Sequence, residues 1–373
     1  KMDIQYMKRA IELAKKGIGN VHPNPLVGAV IVKNGKIISE DYHHKCGEFH
    51  AERNAIMKCS ESMKGAEMYV TLEPCCHYGK TPPCTEAIIN SGITTVYVGS
   101  KDPNPLVAGK GCELLRQNGI TVYEDICKEE CDKLNPIFFH YITTHTPYVA
   151  MKYAMTADGK LATKTGKSQW ITNEACRNHV HFLRHKYTAI MTGIGTVIQD
   201  NPMLNCRMKD GISPIRIICD THLNIPLDSN ICKSADKYKT YIVTAKISEN
   251  IINDNKHKIF EKINILKAMG IEVIEVSLKG EHIDLCELMK ILYDKQIDSI
   301  LLEGGATLNF SALQARIVNH FYGYIGMKIF GGKAAITPVG GAGVSEVSEA
   351  FNIVNSSITT FDGDYMIEGD IVY

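Results

Sequence analysis

In the first part of the chain, segments whose apolar residues follow helical spacing alternate with short, continuous apolar segments typical of buried strands. Apolar residues at helical spacing follow Asp3, which is suited to cap a helix, and this pattern ends at Gly17. Asn34-Gly35 lies between two apolar segments and predicts a tight hairpin. Further strands are predicted at 26–32, 36–39, 68–72, 96–99 and 120–123, and further helices at 50–59, 82–90 and 112–118.

The same alternation restarts in the second part of the chain, after the polar segment Thr143–Pro147. Because strands alternate with helices throughout, we expect an α/β fold. A chain of 373 residues exceeds one typical core, so we expect two domains, at 1–145 and 147–373. Strands are predicted here at 148–154, 189–192, 215–219, 241–244, 272–276 and 299–302, and helices at 173–185, 282–295 and 306–314.

Composition narrows the class of protein. The formal net charge is zero and no block of Lys or Arg stands out, which argues against a nucleic-acid partner. No apolar run approaches the roughly 20 residues of a membrane span, and the first residues do not resemble a signal peptide. Thirteen cysteines are scattered over the whole length, which favours reduced thiols. We therefore expect a cytoplasmic enzyme with no membrane partner.

Three residues in the first domain predict a catalytic zinc site. His50, Cys75 and Cys84 supply one imidazole and two thiolates, which hold zinc tetrahedrally and leave one position open for water. Glu52, two residues after the histidine, can move the protons of that water, as in zinc nucleobase deaminases. The alternative is a closed structural site with Cys76 or His77 as fourth ligand, but such a site has no use for the carboxylate.

Longer segments around these residues resemble one family. His50-Ala51-Glu52, Glu73–Cys84 (EPCCHYGKTPPC) and Asp102–Gly111 (DPNPLVAGKG) are similar to the bifunctional deaminase/reductase of riboflavin biosynthesis. The resemblance implies a cytidine-deaminase-like α/β/α sandwich followed by a dihydrofolate-reductase-like α/β domain. It also implies zinc on the three predicted ligands and Glu52 as the catalytic proton shuttle. The implied substrate contacts of the deaminase are Asn24, His43, His77, Lys80, Asp102 and Asn104.

Glycine-rich turns in the second domain are weaker indications by themselves. Gly193-Ile194-Gly195 follows a predicted strand but lacks the full dinucleotide fingerprint, so a Rossmann domain is not supported. Glu303-Gly304-Gly305 and Gly340–Gly343 could each let a phosphate approach the backbone, but each pattern alone is more often a simple turn than a phosphate site.

Taken together with Lys152–Lys160 (KYAMTADGK), Ser168–Thr172 and Gly195–Arg207, the EGG turn resembles the reductase half of the same family. The resemblance extends to about Gly332 and implies NADPH as cofactor. Arg184 and Arg207 offer forked donors suited to a phosphate. The implied substrate contacts are Ser168, Arg184, Leu204, Arg207 and Glu303, and the implied NADPH contacts are Ala154, Trp170, Thr196, Asp200, Thr221 and the loop from Gly305 onward.

The resemblance of both halves to this family implies an enzyme that catalyses two consecutive steps of riboflavin biosynthesis. Zinc-dependent deamination of a phosphoribosylaminopyrimidine would give the aminouracil, and NADPH-dependent reduction would convert its ribosyl group to ribityl. A nucleic-acid base deaminase with an accessory domain and a non-catalytic protein stabilised by zinc remain the alternatives. The oligomeric state is not readable, although exposed faces of the second domain suit pairing of two copies.

Overall fold

The computed structural model describes residues 3–79, 81–105, 107–246 and 253–373. The chain divides into two compact units, the first ending at His145 and the second beginning at Thr146. Each unit contains its own sheet and its own cores. None of the described helices combines the length and apolar character that crossing a bilayer requires.

The first unit has a five-stranded mixed sheet among its described residues. The strands are β1 (Gly28–Lys33), β2 (Lys36–Tyr42), β3 (Glu67–Leu72), β4 (Thr95–Ser100) and β5 (Thr121–Tyr123). The sheet order is β2-β1-β3-β4-β5, with β3, β4 and β5 parallel. Asn34 and Gly35 both have positive φ, 50° and 73°, which is the conformation of the predicted hairpin turn between β1 and β2.

Helices cover both faces of this sheet because alternate strand residues point to opposite sides. Ala29 and Ile31 pack in one core, whereas Val30 and Val32 pack in the other. Burial on both faces explains why β1 has a continuous apolar sequence. The helices are α1 (Ile4–Ala14), α2 (Ala51–Lys58), α3 (Cys84–Ser91), α4 (Lys110–Gln117), α5 (Lys128–Asp132) and α6 (Pro136–Thr144), and a 3₁₀ turn spans Lys15–Gly17.

Local sequence chemistry sets the ends of several of these helices. Asp3 accepts a hydrogen bond from the backbone N–H of Gln5, as expected of a cap. Gly92 follows α3 with φ of 86°, the left-handed conformation that favours glycine after a helix. The sequence patterns did not predict α5 or α6, and α6 runs into the segment that was expected to be a linker.

The second unit has eleven strands among its described residues: β6 (Tyr148–Thr156), β7 (Ala189–Gly193), β8 (Ile215–Cys219), β9 (Thr240–Ala245), β10 (Ile271–Val276), β11 (Leu278–Lys279), β12 (His282–Ile283), β13 (Ser299–Leu302), β14 (Val318–Gly326), β15 (Asn352–Phe361) and β16 (Asp364–Val372). Nine of them form one sheet in the order β10-β9-β8-β7-β13-β6-β14-β16-β15, and β11 and β12 form a separate antiparallel hairpin. The strands from β10 to β14 in this order are parallel, whereas β16 and β15 pair antiparallel.

Helices again cover both faces of the parallel part of this sheet. Leu288 and Leu313 belong to the core on one face, and Val197 and Leu266 to the core on the other. The segment from His282 was predicted to be helical, but it begins as β12, and the helix starts only after Asp284, whose carboxylate caps it. The helices are α7 (Glu174–Lys186), α8 (Ile194–Asp200), α9 (Asn230–Lys233), α10 (Asn253–Ala268), α11 (Leu285–Asp294) and α12 (Ala306–Gln314), and a 3₁₀ turn spans Val347–Glu349.

Candidate active sites

Three potential metal ligands converge in the first unit. His50 is the residue before α2, Cys75 lies in the loop after β3, and Cys84 opens α3. The Nδ1 atom of His50 lies 3.5 Å from the Sγ atoms of both cysteines. The three donor atoms all lie within 4.8 Å of one another, so one ion could contact them all. One nitrogen and two sulfurs are a donor set that suits zinc.

The electrostatics of the two sulfurs also suit a cation. A hydrogen bond from the Cys84 side chain, followed by one from His50, lowers the pKa of Cys75 to about 4 despite burial. The same contact between the sulfurs, together with burial, raises the pKa of Cys84 well above its ordinary value. The backbone N–H of Cys84 also donates to Cys75 Sγ at 3.3 Å. Two neighbouring thiolates repel each other, so both ionise readily only when a cation lies between them.

Glu52 lies beside these ligands in the first turn of α2 and is only 3% exposed. Its Oε2 atom is buried and has no hydrogen-bond partner among the described residues. Burial, reinforced by the charge of Cys75, raises the pKa of Glu52 to about 7. A carboxylate with this environment can both accept and return a proton near neutral pH.

A closed four-ligand site is not what the described residues form. The group of converging donors found among them contains His50, Cys75 and Cys84 but neither Cys76 nor His77. His77 instead lines the neighbouring pocket, where its Nδ1 atom is buried without a hydrogen-bond partner. The arrangement therefore resembles an open site more than a structural one.

A pocket of about 270 Å³ adjoins the candidate metal site. His50, Glu52 and Cys75 line it, whereas Cys84 is buried behind it. Lys80, the remaining predicted substrate contact, lies outside the described residues. The predicted contacts that line the pocket are Asn24, His43, His77, Asp102 and Asn104.

His43 fixes the orientation of Asn24 in this pocket. His43 Nδ1 lies 3.0 Å from the carbonyl oxygen of Phe49, so this nitrogen carries the hydrogen and donates. The Nε2 atom then accepts from Asn24 Nδ2 at 3.1 Å. Burial lowers the pKa of His43, which favours this neutral form. The amide of Asn24 is therefore held by its nitrogen, which leaves its oxygen to contact a ligand.

Two polar residues that support this pocket were not among the predicted contacts. Asn135 is 4% exposed and binds both backbone groups of Leu26, accepting from the nitrogen at 2.7 Å and donating to the oxygen at 2.8 Å. Glu73 is 3% exposed and accepts from four backbone N–H groups. Of the two, Glu73 was easier to recognise from the sequence as a buried polar residue near the site, because it directly follows the buried strand β3.

The second unit contains a larger cavity of about 740 Å³, at the carboxyl ends of parallel strands. Ligands of α/β proteins commonly bind at this edge of a sheet. Residues at or just after the ends of β7, β8 and β13 line it. The predicted contacts that line the cavity are Ser168, Arg184, Arg207, Glu303, Ala154, Trp170, Thr196, Asp200, Thr221 and Gly305.

Leu204 is the predicted contact that does not line this cavity. It is 4% exposed and its side chain packs in the core on one face of the sheet. Its φ of 52° is unusual for a leucine and turns the chain between Met203 and Asn205. Any contact of Leu204 with a ligand would therefore involve its backbone, since its apolar side chain is already buried.

Glu303 and Arg184 form a buried ion pair in the cavity wall. Arg184 Nε and Nη2 each donate to a different Glu303 oxygen at 2.9 Å, and Nη1 donates to the carbonyl of Asn205 at 3.1 Å. Although burial alone would raise the pKa of Glu303, the charges of Arg184 and Lys152 lower it to about 2. The forked donors of Arg184 were expected to suit a phosphate, but the structure directs them to Glu303. Arg207, which is exposed, remains the better phosphate ligand of the two.

Lys152 completes this cluster and was not among the predicted contacts. Its Nζ atom lies 3.5 Å from Glu303, and its side chain is 13% exposed. Burial lowers the pKa of Lys152, whereas Glu303 opposes this effect. The sequence did indicate a special role for Lys152, because this residue interrupts the otherwise apolar sequence of β6. A lysine is rarely buried without a partner of opposite charge.

Two helices begin at the cavity and direct backbone N–H groups toward it. Gly193 precedes α8 and Gly305 precedes α12, and residues in the first turns of both helices line the cavity. Such helix starts favour anions. The other glycine-rich stretch, Gly340–Gly343, does not line this cavity, and Gly340 N–H donates to the carbonyl of Ala306 at 3.0 Å. It therefore supports α12 from outside.

Comparisons with known proteins agree with the division into two sites. The family model described as the cytidine and deoxycytidylate deaminase zinc-binding region matches residues 1–100. The family model described as the RibD C-terminal domain matches residues 147–367. The second match extends well beyond Gly332, where the sequence resemblance had been expected to end.

Relatives match over almost the entire chain. The riboflavin biosynthesis protein RibD of Actinobacillus pleuropneumoniae is 50% identical over 98% of this chain and 94% of its own length. The protein of the same name from Aquifex aeolicus is 42% identical, covering 98% of each chain.

Solved structures are similar over the same range. A RibD structure from Acinetobacter baumannii has a TM-score of 0.86 at 33% identity and covers 99% of both chains. A diaminohydroxyphosphoribosylaminopyrimidine deaminase/5-amino-6-(5-phosphoribosylamino)uracil reductase from Thermotoga maritima has a TM-score of 0.83 at 38% identity. That comparison covers 99% of this chain and 98% of the other.

Proposed function

Because this chain belongs to the RibD family of bifunctional riboflavin-biosynthesis enzymes, we propose that it deaminates a diaminopyrimidinone carrying a phosphoribosylamino group and then reduces the product. The first step takes place in the unit that ends at His145 and gives the aminouracil. The second step takes place in the following unit and converts the ribosyl group to ribityl. Zinc serves the first step and NADPH the second.

In the deaminase, His50, Cys75 and Cys84 would hold the zinc ion. Their converging donor atoms and the depressed pKa of Cys75 support this assignment. When bound, zinc would polarise a water molecule so that it can attack the ring carbon bearing the exocyclic amine. Side chains of the pocket would transfer protons and bind the substrate.

Glu52 is the proton shuttle of this proposal. Its unpartnered Oε2 atom would take a proton from the attacking water and pass it to the ring nitrogen. It would then pass the remaining hydroxyl proton to the amine, which departs as ammonia while the ring carbon becomes a carbonyl. The oxygen of Asn24, oriented by His43, would accept from a donor on the pyrimidine edge. His77, Asp102 and Asn104 would complete the substrate contacts, with Lys80 as a further prediction from the family resemblance.

In the reductase, the cavity at the carboxyl ends of the strands would hold substrate and NADPH side by side. The beginning of α12 would face a cofactor phosphate, and the indole of Trp170 would border the cofactor. Ser168 and Arg207 would bind the substrate, with the exposed guanidinium of Arg207 near its phosphate. The backbone of Leu204 and the side chains of Ala154, Thr196, Asp200 and Thr221 remain predicted contacts.

Lys152 is our candidate for the proton donor of the reduction. When bound, NADPH would supply a hydride to C1′ of the ring-opened ribose. The ammonium group of Lys152 lies in the cavity wall, and its lowered pKa makes it a better proton donor. Glu303 would hold this ammonium group in place, and Arg184 would hold Glu303.

The observation that carries the whole proposal is the convergence of three zinc donors beside the buried, unpartnered carboxylate of Glu52. A structural zinc site would not need that carboxylate. The alternative of a nucleic-acid substrate has no comparable support, since the chain carries no net charge. The described residues include all thirteen cysteines and contain no disulfide bond, which supports a location in the reducing cytoplasm.

Pairing of two copies through the reductase unit stays a prediction. Strand β15 lies at one edge of the sheet and is exposed along almost its full length, with Ile358 at 68%. An exposed apolar edge strand is suited to pair with another strand. Analytical ultracentrifugation of the purified chain would test the oligomeric state.

Separate assays of the two steps test the proposed function. The purified chain, supplied with zinc and the diaminopyrimidinone substrate, should release ammonia without NADPH. The same chain, supplied with the deaminated product, should oxidise NADPH without releasing ammonia. Absence of either activity from a folded, zinc-loaded protein would contradict the corresponding half of the proposal.

A further inference from the structure

Glu73 is a buried carboxylate two residues before the candidate metal ligand Cys75, and its side chain accepts hydrogen bonds from backbone N–H groups. Its Oε1 atom accepts from the backbone N–H groups of Gly111 at 3.0 Å and Cys112 at 3.2 Å. Its Oε2 atom accepts from Gly109 at 2.9 Å and from Asp102 at 3.3 Å. No ion pair of Glu73 with a cationic side chain occurs among the described residues. Backbone N–H groups therefore satisfy this carboxylate.

The four donors belong to one loop and to the beginning of one helix. Asp102 and Gly109 lie near the ends of the loop after β4, and Gly111 and Cys112 lie in the first turn of α4. Backbone N–H groups at a helix start have no partner within the helix and favour an anion. One carboxylate thus joins both ends of the loop to the start of α4.

The local sequence allows this close approach. A Cβ atom on Gly111 would lie 2.1 Å from the carbonyl oxygen of Pro74, so only glycine fits there while its N–H reaches Glu73. Glu73 itself is fixed through its backbone, since its N–H donates to the carbonyl of Ser100 at 2.9 Å. The carboxylate is therefore a fixed point between the sheet and the loop.

The loop held in this way forms part of the wall of the deaminase pocket. Asp102, Asn104 and Val107 line the pocket together with Glu52, and Glu73 itself also borders it. Within the loop, Asp102 Oδ1 accepts from the N–H of Asn104 at 2.8 Å. The carbonyl of Asn104 in turn accepts from the N–H of Val107 at 2.8 Å. A change at Glu73 would thus be transmitted to the side chains that face the substrate.

We propose that Glu73 is a positioning residue of the deaminase, holding the described loop residues 102–105 and 107–111 in the conformation that binds the pyrimidine substrate. This inference rests on the proposed deaminase function. It assigns Glu73 no contact with substrate or zinc and no part in proton transfer. Its expected effect is on substrate binding by the first unit alone.

The test compares Glu73→Gln with two other variants. Glutamine has the same shape, but its amide nitrogen would face backbone N–H groups and could not accept from them. Glu73→Asp keeps the charge on a side chain shorter by one methylene and should rescue part of the effect. Glu113→Gln is the matched control, because Glu113 lies on the exposed face of the same helix and contacts Gln117.

Two measurements separate positioning from a general loss of structure. Steady-state ammonia release should show KM raised by about tenfold in Glu73→Gln, with a smaller change in kcat, as expected when charge-assisted hydrogen bonds that fix a binding loop are lost. Hydrogen–deuterium exchange of peptides covering 102–112 should become faster in the same variant, a readout that needs no activity. Zinc content and the rate of NADPH oxidation with the deaminated substrate should match the wild type and Glu113→Gln.

Unchanged KM and unchanged exchange in Glu73→Gln would overturn the proposal. Loss of zinc or unfolding of the first unit in both Glu73→Gln and Glu73→Asp would also overturn it, because Glu73 would then be required for folding. If only Glu73→Gln fails to fold, a raised KM in folded Glu73→Asp would support the proposal, and an unchanged KM would refute it. The proposed deaminase function fails separately if the wild-type protein releases no ammonia. In that case, faster exchange of the loop in Glu73→Gln would still show that Glu73 positions the loop.

Discussion

Glu303→Gln should destabilise the reductase unit, because it removes the one negative charge from a buried cluster with two positive charges. The side chains of Glu303, Arg184 and Lys152 are only 10%, 14% and 13% exposed. Glutamine preserves the shape of the side chain but leaves Arg184 and Lys152 facing each other without an anion. Removing one partner of a buried ion pair typically costs about 3–5 kcal/mol.

The pKa of Glu303 gives a second route to the magnitude. Burial would raise this pKa, yet the neighbouring cations lower it to about 2 from an ordinary value of 4.5. At about 1.4 kcal/mol per pH unit, this difference corresponds to roughly 3 kcal/mol of folding free energy. The pKa of Lys152 is lowered as well, because burial outweighs its attraction to Glu303. We therefore assign the stabilisation mainly to the bidentate pair of Glu303 with Arg184. Its N–O distances of 2.9 Å are shorter than the 3.5 Å between Glu303 and Lys152.

Trp170 makes the assay specific to this unit. It is the only tryptophan in the chain and lines the reductase cavity, so tryptophan fluorescence during denaturant unfolding reports on the second unit alone. At neutral pH the free energy of unfolding should fall by about 3 kcal/mol in Glu303→Gln. Glu281→Gln, at an exposed turn, should leave it unchanged.

The pH dependence has a defined sign. A carboxyl group whose pKa is lowered by folding stabilises the protein above its unfolded pKa and loses this effect as the pH falls toward its folded pKa. The difference between wild type and Glu303→Gln should therefore be complete above about pH 4.5 and shrink as the pH approaches 2. Equal stability of the two proteins at neutral pH would refute the reasoning, as would a difference that stays constant through this range.

Three further predictions concern the two active sites. Glu52→Gln should lower kcat for ammonia release by roughly 10²–10⁴-fold, as expected for loss of a general acid–base, and should leave NADPH oxidation with the deaminated substrate intact; equal loss of both rates in a folded protein would contradict it. Removing zinc with a chelator should abolish ammonia release, spare the reductase rate and be reversed by added zinc; a chelated protein that still releases ammonia would exclude a metal role. NADPH should quench Trp170 fluorescence saturably, because this indole lines the reductase cavity; no quenching at concentrations that support turnover would place the cofactor elsewhere.

The sequence predicted the regular elements best where burial imposes a simple pattern. Strands β3 and β13 are buried on both faces, so each forms an apolar run that is recognisable without knowledge of its neighbours. Strand β15 is exposed along most of its length and has no such pattern, and no strand bounds were predicted for the hairpin that it forms with β16. Its register depends on pairing with β16 and not on a buried face of its own.

Capping chemistry explains the misplaced start of one helix. The segment from His282 was predicted to be helical because its apolar residues continue into a true helix. Asp284 caps that helix by accepting from the N–H groups of Cys286 and Glu287, and the chain before it pairs as β12. Asp284 followed three residues later by Glu287 was a usable indication of the boundary.

The candidate metal site was recognisable from sequence because its donor types are rare and its chemistry is local. His50 and Glu52 share one helix start, and the two cysteines flank one loop. The partners of Arg184 were not recognisable in this way. Its pairing with Glu303, 119 residues away in sequence, depends on the order of strands in the sheet. Glu73 was missed for the same reason, since its donors come from a loop 29 to 39 residues further along.

The central claim is that one chain carries two consecutive activities in separate sites, and a single time course tests it most directly. The purified, zinc-loaded chain is mixed with the diaminopyrimidinone substrate and NADPH, and ammonia and NADPH are followed together. Ammonia should appear before NADPH is consumed, and the amounts of ammonia released and NADPH consumed should finally be equal. Consumption of NADPH without release of ammonia, or release of ammonia with no later consumption of NADPH, would contradict it.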